Sequence, residues 1–265
     1  MRALVQSYAL VATLLFVLVS AAVALRLVLL SLATRRKPEL LLGLGILGTA
    51  VLGYGTMIAA QLMRGETNAV ASSFAERAVQ GAGEILHDAG ATMMVLFVVT
   101  VFRPGEHWAK ALAAALLASL WGGNLGWQLE NGFRSAGIGN GFWWLRYAVI
   151  WTYPLWTMVE SYRYYALMRR RLALGLGDAL VTNRFLLWGT GSLGTALAIW
   201  ISSLSFFLID RPEQLAAWSP VIEVSTASVG VLTVAIFYLT FLPPAWYRHW
   251  VAAAAERERA QRLPG

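Results

Sequence analysis

The sequence predicts an all-α integral membrane protein, a seven-transmembrane-helix bundle with its N-terminus outside and its C-terminus cytoplasmic. Of the 265 residues, 58% are hydrophobic and 13% are charged, and this charged fraction is about half of the roughly 25% usual in soluble domains. Long apolar segments recur along the chain, and basic residues gather in alternate connections between them. Together these three observations favour a membrane bundle over a soluble globule.

Seven segments are close to the ~20 apolar residues that cross a hydrocarbon core of ~30 Å. The first resembles a secretory signal with Ala22, Val23 and Ala24 at its cleavage site, but its apolar residues continue to Leu32, so we expect a retained helix. The segments form one transmembrane domain, residues 1–242, with approximate spans 8–32, 39–62, 84–102, 109–129, 142–166, 185–209 and 219–242.

The basic residues of the connections predict the orientation, because the side richer in Lys and Arg is cytoplasmic. One side holds Arg35, Arg36, Lys37, Arg103, Lys110, Arg169, Arg170, Arg171, Arg184, Arg248, Arg257, Arg259 and Arg262. The other side holds Arg2, Arg64, Arg77, Arg134 and Arg211. The net charge of +7 is therefore mostly an orientation signal. We expect a lipid bilayer as partner, no nucleic acid, and a bacterial-type inner (plasma) membrane as location.

Residues 243–265 predict a cytoplasmic amphipathic tail. Two prolines stop the seventh helix, and Trp246, Tyr247 and Trp250 then precede a strongly charged segment. We expect this helix to lie along the inner membrane surface with its aromatic rings at the headgroup level. The longest outer connection, residues 64–83, is polar enough to form a short surface helix or a lid.

Several familiar chemistries lack the residues that they need. The patterns GLGILG (43–48) and GTGSLG (189–194) match a dinucleotide fingerprint that requires a preceding strand, but each lies within a predicted crossing, where small residues bring helices together. The chain has no cysteine, and of its three histidines only His87 lies near a crossing, which argues against a bis-histidine haem. Zinc-protease and nucleophile-elbow motifs are also absent, so we expect no enzyme.

The string WTYPLW, residues 151–156, resembles the tryptophan, tyrosine-proline, tryptophan cluster of the retinal pocket in microbial rhodopsins, a family with seven crossings. The resemblance implies at most a shared seven-helix fold, because the spacing here is tighter and the string lies in the fifth crossing rather than the sixth. A retinal Schiff base requires a lysine within a crossing, and the two lysines, Lys37 and Lys110, both lie at predicted cytoplasmic ends. The sequence therefore argues against bound retinal. We interpret the string as packed aromatic rings around a kink at Pro154.

Polar side chains recur at the predicted outer ends of several crossings. In GEILHDAG, the third crossing begins with Glu84, His87 and Asp88 on one helical face. In a bundle, this face converges with those of the fourth, fifth and seventh crossings on an outward-facing pocket, the usual kind of place for a small ligand. The predicted ligand-binding residues are Glu84, His87, Asp88, Asn124, Gln128, Trp144, Arg146, Tyr147, Trp151, Glu223 and Thr226.

Three interpretations of this cluster stay open. Polar and aromatic residues are common at a membrane interface, so the cluster can be purely structural. It can instead be a pocket for an organic ligand, or a divalent metal site made by Glu84, His87 and Asp88, since Glu-x-x-His presents both ligands on one face. No other cofactor is predicted. Arg146 is expected to pair with Glu223, Asp88 or a ligand carboxylate, because an unpaired charge is costly within a membrane.

The leading functional hypothesis is a non-enzymatic, receptor- or sensor-like membrane protein. It would bind a small molecule or ion in the outer half and signal through a membrane or cytoplasmic protein partner, which is expected because no output domain follows the tail. A transporter or channel for a small solute or ion is the first alternative, with a polar path over Asn124, Thr226, Thr233 and Glu160. A structural or assembly subunit of a larger complex is the second, and small residues also permit a homodimer.

One further pair of charges lies deeper in the fifth crossing, in its predicted cytoplasmic half. Glu160 and Arg163 stand at positions i and i+3 of the same helix, where oppositely charged side chains are neighbours. We expect them to pair with one another or with the inner membrane surface.

Overall fold

A computed structural model describes residues 2–64, 73–131, 141–208 and 211–262, which form helices joined by short connections and contain no strand. The helices are α1 (Arg2–Thr34), α2 (Lys37–Ile46), α3 (Tyr54–Arg64), α4 (Phe74–Phe102), α5 (His107–Asn131), α6 (Gly141–Ala173), α7 (Ala179–Phe207), α8 (Pro212–Phe241) and α9 (Ala245–Arg262). A π-helical segment, Leu47–Gly53, joins α2 to α3 without a break. The all-α prediction is confirmed.

Five helical stretches in the described residues are long and apolar enough to cross a membrane. They are Ser7–Thr34, Lys37–Ala60, Phe74–Phe102, Ala179–Phe207 and Pro212–Phe241, and they match the first, second, third, sixth and seventh predicted crossings. The two remaining predicted crossings lie in α5 and α6, which are 25 and 33 residues long but more polar. Several of their polar side chains are buried inside the bundle, so their composition reflects contacts between helices.

The beginning of α4 differs from the sequence prediction. This helix starts at Phe74 rather than near residue 84, and the Oγ of Ser73 accepts a hydrogen bond of 3.1 Å from the backbone N–H of Glu76. Ser73 and Glu76 have the S-x-x-E spacing of a capping box, a local signal for the earlier start. The change places Glu84 about three turns inside the helix instead of at its first residue. The rest of the predicted outer connection, residues 65–72, lies outside the described residues.

The helices pack side by side in chain order, and α1 packs against α8, which closes a ring. Contacting pairs give their directions. Between α4 and α5, Trp121 contacts Thr92, Asn124 contacts Asp88, and Gln128 contacts Glu84. Later residues of α5 meet earlier residues of α4, so these helices are antiparallel. Between α4 and α6, Asp88 contacts Arg146, and Arg103, just after α4, contacts Glu160. The order of residues is the same on both helices, so these helices are parallel.

The first and last helices of this ring, α1 and α8, also run parallel. The hydroxyls of Tyr8 and Ser228 lie 2.9 Å apart, and further along both helices Val23, Val234 and Phe237 line one small cavity. In a ring of alternating directions, the first and last members are parallel only when their number is odd. Seven members satisfy this condition when α2, the π-helical segment and α3 are counted as one continuous helix.

The π-helical segment packs against α4 almost backbone to backbone. A Cβ atom added to Gly48 would lie 2.6 Å from the Cα of Gly90, and one added to Gly53 would lie 2.6 Å from the Cα of His87. Glycine is therefore required for this close approach. The packing interpretation of the first glycine pattern is confirmed, whereas the π-helical geometry had no counterpart in the sequence prediction.

The tail forms α9, which begins at Ala245 after the two prolines, as predicted. Asn183 Nδ2 on α7 donates a hydrogen bond of 2.6 Å to the hydroxyl of Tyr247, and Tyr247 and Val251 are buried. Trp246 and Trp250 remain largely exposed. The tail is thus a helix docked on α7, and its contact with a membrane surface stays a prediction.

Candidate functional site

Two carboxylates on α4 lie in the interior of the bundle. Glu84 and Asp88 are 3% and 0% exposed, and their spacing of four residues puts both on one face of the helix. Such burial is costly for ionised groups unless partners compensate for the lost water. The arrangement therefore depends on the side chains that α5 and α6 bring to the same place.

Arg146 on α6 supplies the compensating charge. Its Nε and Nη2 donate to the two oxygens of Asp88 at 2.7 and 3.0 Å, a bidentate pair, and its Nη1 lies 3.4 Å from Glu84 Oε2. The arginine is itself only 5% exposed. Bidentate pairs of this kind combine strong attraction with a fixed geometry. Of the partners expected for Arg146, which were Glu223, Asp88 or a ligand carboxylate, the structure shows Asp88, whereas Glu223 accepts from Ser219.

Amide side chains satisfy the remaining carboxylate oxygens. Asn124 Nδ2 donates to Asp88 at 2.5 Å, and Gln128 Nε2 donates to Glu84 Oε2. Gln80, one turn before Glu84, donates to Glu84 Oε1 at 2.9 Å. Sequence reasoning missed Gln80 because α4 was expected to begin after it, although its i, i+4 spacing from Glu84 was readable. We call Gln80, Glu84, Asp88, Asn124, Gln128 and Arg146 the Arg146 network.

Close approach of α5 and α6 makes these contacts possible. A Cβ atom added to Gly123 on α5 would lie 2.6 Å from the backbone nitrogen of Arg146. The missing side chain lets the two helices touch directly beside Asn124 and little more than one turn before Gln128, so their amides reach the same carboxylates as the guanidinium. Gly123 makes this approach, whereas a Cβ atom added to the neighbouring Gly122 would meet nothing within 4 Å.

Aromatic side chains and His87 border the network. His87 Nδ1 lies 3.1 Å from Asp88 Oδ1, and the guanidinium carbon of Arg146 lies 5.9 Å from the ring centroid of Tyr147. The Tyr147 ring stacks on Trp143 at a centroid distance of 4.0 Å. These rings exclude water on the α6 side, which strengthens the charge interactions inside.

Other predicted site residues lie apart from the network. Trp144 is 42% exposed, and Glu223 is exposed and accepts a hydrogen bond of 2.7 Å from Ser219 on its own helix. Trp151 donates to Ser203 of α7 at 3.1 Å, while Thr226 is half-buried on α8. The pocket expected from all eleven residues stays a prediction: hydrogen bonds and ion pairs join six of them, Glu84, His87, Asp88, Asn124, Gln128 and Arg146, whereas Glu223 bonds on its own helix.

The metal hypothesis for Glu84, His87 and Asp88 stays a prediction. Nitrogen donors occupy the carboxylate oxygens. In the described part of the chain, no group of three or more His, Cys, Asp or Glu side chains is arranged to hold a metal ion.

A second, partly buried ion pair joins α4 and α6 further along both helices. Arg103, the C-cap residue just after α4, donates from Nε to Glu160 Oε1 of α6 at 2.7 Å, and its guanidinium carbon lies 5.2 Å from the ring centroid of Trp108. The expected pairing of Glu160 with Arg163 is wrong. Arg163 is exposed, whereas Glu160 faces the interior and meets a residue far away in sequence.

Apolar residues separate the Arg146 network from the Arg103–Glu160 pair. Ala91, Val95 and Val98 of α4 are fully buried, and Val149 and Ile150 of α6 are buried as well. Thr157 and Ser161, which are close in sequence to Glu160, donate to backbone carbonyls of their own helix. Both polar centres therefore link the same pair of helices, α4 and α6, at two different levels.

The arrangement can hold charge and couple helices, because each centre links α4 to α6. Comparison of the chain with protein-family models, with curated proteins and with solved structures finds no significant match. A function is therefore argued from the geometry of the two centres.

Proposed function

We propose that all seven helices of the ring cross the membrane, with the N-terminus outside and the C-terminus cytoplasmic. The alternating directions support this proposal, since α5 runs beside α4 along the Arg146 network and α6 runs parallel to α4. A helix that packs along the length of a membrane-crossing helix spans the same depth of the bilayer. The basic connections support an outer-half position for the Arg146 network, and with it we propose a bacterial inner (plasma) membrane as the location.

We further propose that the protein is a non-enzymatic, receptor-like membrane sensor. The observation that carries this proposal is that α4 and α6 share an ionic centre at two separate levels along their lengths. A change at the Arg146 network alters the contact between these two helices, and the Arg103–Glu160 pair lies on the same two helices at the opposite side of the membrane. This is the geometry of an outer site that biases a helix shift read on the inside.

Pro154 gives α6 a point at which such a shift can occur. It lies inside the helix between Arg146 and Glu160, and proline removes one hydrogen bond of the helical backbone. Beyond Glu160, α6 continues to the basic residues Arg170 and Arg171 at its last turn. We propose this exposed end, together with α9, as the surface for a membrane or cytoplasmic partner.

The alternative of a transporter has less support. A solute path needs polar groups that continue between the two centres, whereas the buried residues between them on α4 and α6 are mostly apolar, with the hydroxyls of Tyr153 and Thr157 as exceptions. Asn124, which the path would use, is committed to Asp88. The sensor proposal requires only movement of helices and no continuous path.

The proposal is tested by distance measurement between spin labels on the cytoplasmic side. The chain has no cysteine, so Thr34→Cys on α1 and Leu167→Cys on α6, both exposed positions, label two helices on opposite sides of the ring. Asp88→Asn weakens the bidentate pair in the outer half. We expect the Thr34–Leu167 distance distribution to shift by about 2 Å, the scale of helix shifts in signalling proteins.

Glu223→Gln is the matched control, because it removes an exposed carboxylate from the same half of the bundle without touching Arg146. It should leave the distribution unchanged. The sensor proposal fails if folded Asp88→Asn protein gives the same distribution as the parent protein in nanodiscs.

A further inference from the structure

The Arg146 network carries one more negative than positive charge when both of its carboxylates are ionised. Glu84 and Asp88 then bring two negative charges, Arg146 brings one positive charge, and a neutral His87 brings none. No other Lys or Arg in the described part of the chain forms an ion pair with either carboxylate. A buried net charge is costly in a bundle surrounded by lipid, and either a proton on Glu84 or an additional cation would cancel it.

Two buried oxygens at Glu84 have no hydrogen-bond partner. They are Gln80 Oε1 and Gln128 Oε1, which find none among the described residues, and their side chains are only 8% and 3% exposed. Both amides use their nitrogen to bind Glu84. Each unsatisfied oxygen thus belongs to an amide that binds this carboxylate, Gln80 at Oε1 and Gln128 at Oε2. Native proteins seldom leave such groups without a donor or cation.

We propose that the Arg146 network binds one small monovalent cation, either sodium or an ammonium group, between Glu84 and the amide oxygens of Gln80 and Gln128. A carboxylate and two amide oxygens are hard ligands that suit an alkali cation, and an ammonium group would donate its hydrogens to the same three groups. A divalent ion would reverse the net charge, whereas one positive charge cancels it. The inference rests on the proposed function by naming the ligand class of the sensing site.

The proposed ligand also connects the site to the helix shift. Glu84 oxygens already accept from Gln80, Gln128 and Arg146, so a cation at Glu84 competes with the long 3.4 Å contact from Arg146 Nη1. Binding would leave the guanidinium committed to Asp88, its bidentate partner. The cation thus redistributes contacts between α4 and α6 without breaking the network.

The test measures thermal unfolding of purified protein through its tryptophan fluorescence, at constant ionic strength. Sodium, potassium, ammonium and methylammonium chlorides each replace N-methylglucamine chloride. A bound cation should raise Tm with the logarithm of its concentration above the dissociation constant. The cation that acts at the lowest concentration distinguishes an inorganic ion from an ammonium compound.

Glu84→Gln removes the excess negative charge while keeping the side-chain shape, and it should abolish the response. Glu223→Gln removes the same charge from an exposed position and should keep it. Gln80→Leu, which removes one amide oxygen, should shift the response to at least tenfold higher concentration, and it serves if Glu84→Gln does not fold. The inference is overturned if none of the four cations raises Tm of the parent protein, or if the folded network variants respond as the parent does.

Binding and signalling fail separately in these experiments. If cations raise Tm of the parent protein but Asp88→Asn leaves the Thr34–Leu167 distance unchanged, the binding site is supported and the sensor proposal is overturned. A distance change in Asp88→Asn without any cation response supports the sensor proposal and overturns the cation.

Discussion

At the scale of single residues, Arg146 holds three helices together. It reaches two carboxylates of α4 from α6, while α5 supplies amides to the same oxygens. Removing one member of a buried charge pair leaves the other uncompensated, so the loss exceeds the net value of the pair. The energetic weight of the network therefore rests on the residue that carries its only positive charge.

We expect Arg146→Met to lower the free energy of unfolding by about 3–5 kcal/mol, the usual cost of breaking a buried pair. Reversible unfolding in mixed detergent micelles measures it. Arg163→Met on the same helix is the control, because Arg163 is exposed, and its effect should stay within about 0.5 kcal/mol. In the double variant with Asp88→Asn, the losses should be less than additive since the two residues are partners. Additive losses would contradict the pairing.

At the scale of elements, the contact between the π-helical segment and α4 sets the position of α4 in the bundle. Gly48 and Gly90 meet through backbone atoms on the face of α4 opposite its carboxylates. A backbone contact cannot yield as a flexible side chain does, so added volume must separate the helices. The Arg146 network on the other face of α4 depends on the position that this contact gives the helix.

We expect Gly48→Ala to destabilise the protein by about 1–3 kcal/mol, the range for overpacking. Gly55→Ala is the matched control in the same continuous helix, because a Cβ there meets nothing within 4 Å. Alanine is the better helix former by about 1 kcal/mol, so this control should be neutral or stabilising. Equal effects of the two substitutions, measured by the same unfolding assay, would refute the close contact.

At the scale of the whole molecule, the direction of the helices constrains the topology. The first and last members of the ring are parallel, which requires an odd number of alternating helices. Among the described residues, five helical stretches are long and apolar enough to cross a membrane, and the proposal adds α5 and α6 as a pair. The proposed seven crossings would put the two ends of the ring on opposite sides of a membrane.

This topology predicts the accessibility of introduced cysteines. Arg211→Cys, just before α8, should react with a membrane-impermeant thiol reagent in intact cells, and Glu106→Cys, between α4 and α5, should react only after permeabilisation. Both positions are exposed, and the absence of native cysteine gives a clean background. The reverse pattern would invert the orientation, and labelling of both positions from outside would exclude the alternation.

The sequence alone determined the helical class, most of the helical segments and the breaks between them, because apolar run length and prolines act locally. It also identified Glu84, Asp88, Asn124, Gln128 and Arg146 as residues of one site, since helical periodicity places each on a definite face. The capping signal at Ser73 was readable as well, although the predicted start of α4 overlooked it.

Only the tertiary structure decided which faces meet. It selected Asp88 over Glu223 for Arg146 and Arg103 over Arg163 for Glu160, and it excluded Trp144 and Glu223 from the network. Partner choice depends on the rotation and separation of helices, which glycine contacts such as Gly48 with Gly90 set across long distances in sequence. The local sequence indicates which residues share a face of each helix. The energy of a buried charge depends instead on the neighbouring side chains that the whole bundle brings to it.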